Sequence, residues 1–124
     1  MASGIYNKYA SGVDSGWVEY KNPTEFTGSF YFRKIGNIVQ VRAYSIELVS
    51  DVNMNNGKSI GNIPSGFAPN TTTICSVTVS ARLFTKPIVV SFYGSNNLIY
   101  ITANQDSKIP ASTPFSLSTV YFVD

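Results

Sequence analysis

At 124 residues and 13.5 kDa the chain is long enough for one domain with a core of its own and needs no disulfide or metal staple. Only 13% of residues are charged, the net charge is +2 and the basic residues are scattered from Lys8 to Lys108, which excludes the clustered footprint of a nucleic-acid binder or a basic membrane patch. There is no His, which excludes His-based zinc sites and His-dependent triads. Cys75 is alone, which excludes an internal disulfide, and no apolar run approaches the roughly 18 residues of a membrane span. The amino-terminal "MASGIYNKYASG" has no signal-peptide core; residues 1–15 are expected to be a flexible segment or the remnant of a longer chain, and 16–124 a single domain. "SGVDSG" is turn-like and leads into "WVEYK", where Val18 and Tyr20 alternate with Trp17, Glu19 and Lys21 as in a period-2 strand. "NPTEFTG" turns the chain. In "SFYFRKI", Phe30 and Phe32 share one face while Tyr31 and Arg33 share the other. The short "IGN" makes "SFYFRKIGNIVQVRAYSIEL" a β-hairpin.

The second arm of that hairpin changes phase. Val39, Val41 and Ala43 face one side, and Ile46 and Leu48 fall on the opposite alternation. One extra residue near Tyr44 and Ser45, a β-bulge, would bring both halves onto a single face. "SDVNMNNGK" then reads as a polar loop with Asn56-Gly57 as a turn signal, and "GNIPSGFAPN", Gly61 to Asn70, as a stiff loop. Four further strands are expected. "TICSVTVS" places Cys75, Val77 and Val79 on one face, with Cys75 a buried, inert thiol, and "KPIVVSFY" places Ile88, Val90 and Phe92 on one face. "GSNN" closes a hairpin into "LIYITA", and "FSLSTVYFVD" follows the loop "NQDSKIPASTP". Tyr and Phe number eight each, and no stretch shows capped helical spacing. The expectation is an all-β, antiparallel, jelly-roll-like β-sandwich of about eight strands.

The order of these features carries a resemblance. The aromatic strand "GWVEY" precedes the hairpin "YFRKIGNIVQVR", and a loop then leads to "IGNIPSGFAPN" and a Thr-rich strand. From Trp17 onward the chain resembles the carboxy-terminal domains of tail-fibre, baseplate and receptor-binding proteins of bacteriophages with Gram-positive hosts. In these a hydrophobic-G-x-hydrophobic-P-x-G-aromatic-x-P segment follows the Val-rich hairpin. Ile60, Gly61, Ile63, Pro64, Gly66, Phe67 and Pro69 fill that pattern here. The resemblance implies a sandwich head at a virion's tail tip or baseplate, made in the host cytoplasm. It also implies a homotrimer that contacts other tail or baseplate proteins and binds host cell-wall saccharide. Neither membrane insertion nor a nucleic-acid partner is expected.

Within the segment, Pro64 and Pro69 fix φ and restrict their predecessors, while Gly61 and Gly66 allow turns that a side chain would forbid. Phe67 reads as a structural staple under the sandwich edge; the competing role is a sugar-stacking platform. Enzyme chemistry finds no foothold. The seven carboxylates, Asp14, Glu19, Glu25, Glu47, Asp51, Asp106 and Asp124, show no spacing that recommends a glycosidase pair. Without His, a Ser or Thr nucleophile would need another base. "DVNMNNG" lacks the downstream glutamate of a calcium loop, so neither metal nor cofactor is expected. Saccharide binding uses aromatic faces with planar polar groups for the hydroxyls. Tyr31, Arg33, Arg42, Tyr44, Tyr93 and Tyr100 are expected on strand faces opposite the core, and Asn96, Asn97, Asn104 and Asp106 in loops. Outward Tyr residues equally suit a protomer interface, and Trp17 is assigned to core or interface ahead of ligand. The expected contacts are Arg42, Tyr44, Asn104 and Asp106, with no catalytic role. The alternative is a structural trimeric fibre-tip or virion decoration module without a saccharide site.

Overall fold

The computed structural model describes residues 14–53, 57–77, 88–103, 108–111 and 113–123. These form an antiparallel β-sandwich. β1 (Asp14–Tyr20), β3 (Phe30–Ile35), β4 (Ile38–Leu48) and β11 (Pro114–Phe122) lie side by side in that order, and the short β2 (Phe26–Thr27) also pairs with β4. The second sheet has the order β6 (Lys58–Asn62), β9 (Leu98–Ala103), β8 (Ile88–Phe92), β7 (Thr73–Val77). A two-stranded patch joins β5 (Val52–Asn53) to β10 (Lys108–Ile109). The chain thus makes a meander in the first sheet, crosses to build a Greek-key arrangement in the second, and returns with β11 beside β4. Among the described residues, eight strands have five or more residues; seven fall where alternation and turns placed them, and the eighth, β6, falls where a loop was expected.

The core lies between the sheets. Phe30, Phe32, Val39, Val41 and Ala43 from the first sheet meet Ile60, Ile88, Val90, Phe92, Ile99 and Ile101 from the second, all buried. Aromatic rings bridge the layers edge-on: Phe30 and Phe32 each contact Phe92, with centroids 6.5 and 6.3 Å apart. Such pairs add about 0.5–1.5 kcal/mol beyond their burial. Strand alternation is as expected for β1, β3, β4 and β8. The side chains of residues 73–77, and so the expected burial of Cys75, lie outside the described set, as do residues 1–13 of the amino-terminal segment and 54–56 of the loop weighed for calcium.

The phase change in β4 is a bulge at the expected place. Ala43 pairs with Leu117 and Ile46 with Phe115, so Tyr44 and Ser45 together oppose Ser116. Ser45 takes a left-handed φ of 55°, and its N–H donates to Ser116 Oγ at 2.8 Å. That bond satisfies a donor that the ladder cannot reach. Ala43, Ile46 and Leu48 are all buried as a result, while Tyr44 and Ser45 both stand outward.

"GNIPSGFAPN" is only partly a loop. Its first two residues belong to β6, a strand not anticipated from a run with Ile60 as its sole strongly apolar side chain. Gly61 does not make a turn. The Tyr20 side chain lies where a Cβ would stand, and the Asn62 N–H donates to Tyr20 Oη at 3.0 Å. Close approach, not left-handed backbone, explains this glycine. Gly66 does supply left-handed backbone, at φ 88°, in a turn closed by the Phe67 N–H on the Pro64 carbonyl at 3.0 Å, the geometry of a type II turn. Phe67 is half-buried, more exposed than the staple reading supposed. Its ring meets Phe32 edge-on at 6.3 Å and its carbonyl accepts the Tyr121 hydroxyl at 2.5 Å. Burial pushes the Tyr121 phenol well above its ordinary pKa, so it remains a donor.

Candidate functional site

The outward face of the first sheet carries the most concentrated recognition chemistry among the described residues. Register sets its rows. Glu19, Tyr31, Arg42 and Ser118 stand side by side across β1, β3, β4 and β11, and Trp17, Arg33, Gln40 and Val120 form the next row. Beyond them come Ile35, Ile38 and Phe122. Tyr31, Arg33, Gln40, Arg42, Ser118 and Phe122 each neighbour a core residue on their own strand, so packing of the inner face positions the outer one. Trp17, Tyr31, Arg42, Tyr44, Ser116 and Ser118 line a shallow depression of about 750 Å³, floored by buried Ala43 and Leu117. A smaller depression of about 400 Å³ continues past Arg42 along Arg33, Gln40 and Val120.

Trp17 sits at the junction of the two. It is 41% exposed, and the guanidinium carbons of Arg33 and Arg42 lie over its ring, 5.8 and 5.6 Å from the centroid. Each such contact contributes about 0.5–1 kcal/mol at an exposed site. Arg33 is also paired: its Nε donates to Asp14 Oδ1 at 3.0 Å and its Nη2 to Asp14 Oδ2 at 2.6 Å. That two-point hydrogen bond, helped by the Gly16 N–H, holds the Asp14 carboxyl down at a pKa of about 2. Glu19 Oε2 accepts the Ser29 hydroxyl at 2.6 Å and the Tyr31 hydroxyl at 3.3 Å, with Lys21 Nζ 3.7 Å away. The Ser29 bond is the main reason its carboxyl lies below the ordinary range.

The structure brings two of the four expected contacts together. Arg42 and Tyr44 line the same depression, and Tyr44, 82% exposed, stands at the edge of the bulge. Asn104 and Asp106 lie outside the described residues. Tyr100 belongs to the other sheet, where its ring contacts that of Tyr93, just past β8, at 5.8 Å, so the outward Tyr residues are divided between two faces. Asn97 is committed to the fold: it has φ 57°, and its carbonyl accepts the Ile63 N–H at 2.7 Å. Trp17 is not a core residue. Its place opposite Val18 and Tyr20 was readable from alternation, but its partnership with Arg42 spans two strands and needed the register. Ser116 and Ser118 carried no signal of their own. Among the described residues no three Asp, Glu, Cys or His side chains gather as a metal-binding set. Comparison with protein-family models and with curated proteins finds no match.

Proposed function

We propose that the chain is a bacteriophage receptor-binding head that holds host cell-surface saccharide on the outward face of its larger sheet and performs no catalysis. The carrying observation is the depression itself: three exposed aromatic side chains, Trp17, Tyr31 and Tyr44, around Arg42 and two serine hydroxyls. Flat aromatic faces suit the apolar side of a pyranose ring, and guanidinium and hydroxyl groups suit its oxygens. The sequence order from Trp17 to Pro69 supports the same reading through its resemblance to phage tail-tip domains. A shallow, open site of this kind binds weakly by itself. Assembly as a homotrimer would raise apparent affinity by roughly 10²–10⁴ where several sites reach one surface. The test is a glycan array together with sedimentation of the protein with purified Gram-positive cell walls. Specific hits abolished by Tyr44→Ala and Trp17→Ala support the reading; an array without hits and walls that leave the protein in solution overturn it.

A structural trimeric module with no saccharide site is the second reading, favoured by Ile38, Val120 and Phe122, which stand exposed together at one end of the same face. Neighbouring apolar side chains of this sort suit a protomer contact. Light scattering that gives the 13.5 kDa monomer at every concentration would remove the trimer from both readings.

A further inference from the structure

We propose, on the basis of the saccharide-binding reading, that the ligand carries one anionic group per bound unit, a carboxylate or a phosphodiester, and that Arg42 reads it. Charge pairing on the outward face carries this inference. Asp14 is committed to Arg33 through two hydrogen bonds, and Glu19 is held by Ser29 and Tyr31 with Lys21 alongside. Glu47 lies beyond the bulge and does not line the depression. Among the described residues Arg42 is therefore the one cation lining the depression, and no described carboxylate comes within ion-pair distance of it.

Arg42 is also positioned. Its guanidinium rests over the Trp17 ring, which fixes it without consuming its N–H donors in a salt bridge. A guanidinium so placed can present two parallel N–H groups to a carboxylate or phosphate, the geometry in which Arg outperforms Lys. Ser118 stands directly across from Arg42 in register and Ser116 lies further along β11, so hydroxyl donors flank the place where the anion would sit. The second guanidinium on Trp17 does not extend the site. Arg33 is neutralised by Asp14, whose negative charge would repel a further anion on that side. The face therefore selects one anion beside an aromatic shelf, rather than a dense polyanion, in keeping with the scarcity of charge in the whole chain.

The experiment is an array of matched oligosaccharides in three forms: neutral, uronic-acid-bearing and glycerol-phosphate-bearing. Affinities are read in solution from the fluorescence of Trp17, the chain's only tryptophan. Hydrogen bonds to a charged group predict a preference for an acidic form of about tenfold to a hundredfold over its neutral counterpart. The uronic and phosphate arms identify which anion is the source. Arg42→Gln should abolish that preference while the protein keeps its cooperative unfolding transition, and Arg42→Lys should restore only part of it. Asp14→Asn, which releases Arg33, should strengthen binding of oligosaccharides carrying several anions. Neutral and acidic forms bound equally, or a preference that survives Arg42→Gln, overturns this inference and leaves saccharide binding standing. Absence of binding to all three forms overturns both.

Discussion

Along β3 and β4 the inward side chains are Phe30, Phe32, Val39, Val41 and Ala43; the outward ones are Tyr31, Arg33, Gln40, Arg42 and Tyr44. The inward set is what any sandwich of this size demands, because apolar area must leave water to offset chain entropy. Nothing in the fold demands the outward set. Small polar or charged side chains would serve solubility better there than a Trp and two exposed Tyr residues. Two chemistries on one backbone, separated by single-residue steps, mean that substitutions on neighbouring positions should have opposite signatures.

The largest effect is expected inside. Phe32→Ala, at a fully buried ring that contacts Phe30, Phe67 and Phe92, should cost roughly 3–5 kcal/mol in urea denaturation. Protein that remains folded should keep the glycan or wall binding proposed for the outer face. A smaller effect is expected for Phe67→Ala, about 2 kcal/mol, since the half-buried ring loses less area. An unchanged melting temperature with lost binding would move Phe67 from the inner category to the outer one.

At the boundary between the two chemistries, Ser45→Gly relieves a left-handed residue while keeping its N–H bond to Ser116. It should stabilise by roughly 0.5–1 kcal/mol in thermal denaturation. Destabilisation would mean that the Ser45 side chain itself supports the bulge. Tyr44→Ala should change stability by no more than about 0.5 kcal/mol, and Arg42→Ala, which loses its contact with Trp17, should cost about 0.5–1 kcal/mol, yet both should weaken binding to walls or glycans. Equal losses of both would show that the outer face is part of the fold.

The smallest effect is the response to acid. The folded-state pKa of Asp14 is depressed to about 2, so its pairing favours the folded state above the ordinary carboxylate range. That contribution should be lost as pH falls from roughly 4 towards 2, and Asp14→Asn should flatten the corresponding part of a stability profile against pH. A variant with the same acid profile as the parent would show the pair to be without weight in an exposed, solvent-screened setting.

Legibility from the sequence followed the same division. Inward positions announce themselves by alternation, and even the bulge was readable, because Ile46 and Leu48 break phase with Val41 and Ala43. β6 was not, since its pairing with β9 makes it a strand and that pairing joins residues far apart in the chain. On the outer face, Arg42 and Tyr44 were visible as polar and aromatic members of a strand. Their grouping with Trp17, Ser116 and Ser118 depends on which strands become neighbours, and alternation within one strand carries no information about that. Residue types alone could not distinguish Arg33 from Arg42. The pairing of one with Asp14 is a matter of register between β1 and β3.

The bond from Ser45 to Ser116 crosses 71 positions of chain. β4 therefore stays open along one side until β11 arrives, and the loop between them contains the entire second sheet. Closing such a loop costs entropy before any contact repays it, so this pairing belongs to the late, slow part of folding. Until then β4 presents an edge of unpaired backbone N–H and C=O groups that can accept a strand from another copy of the chain. Crowded or rapid production should accordingly favour strand exchange between molecules, and slow refolding at low concentration should favour the native pairing.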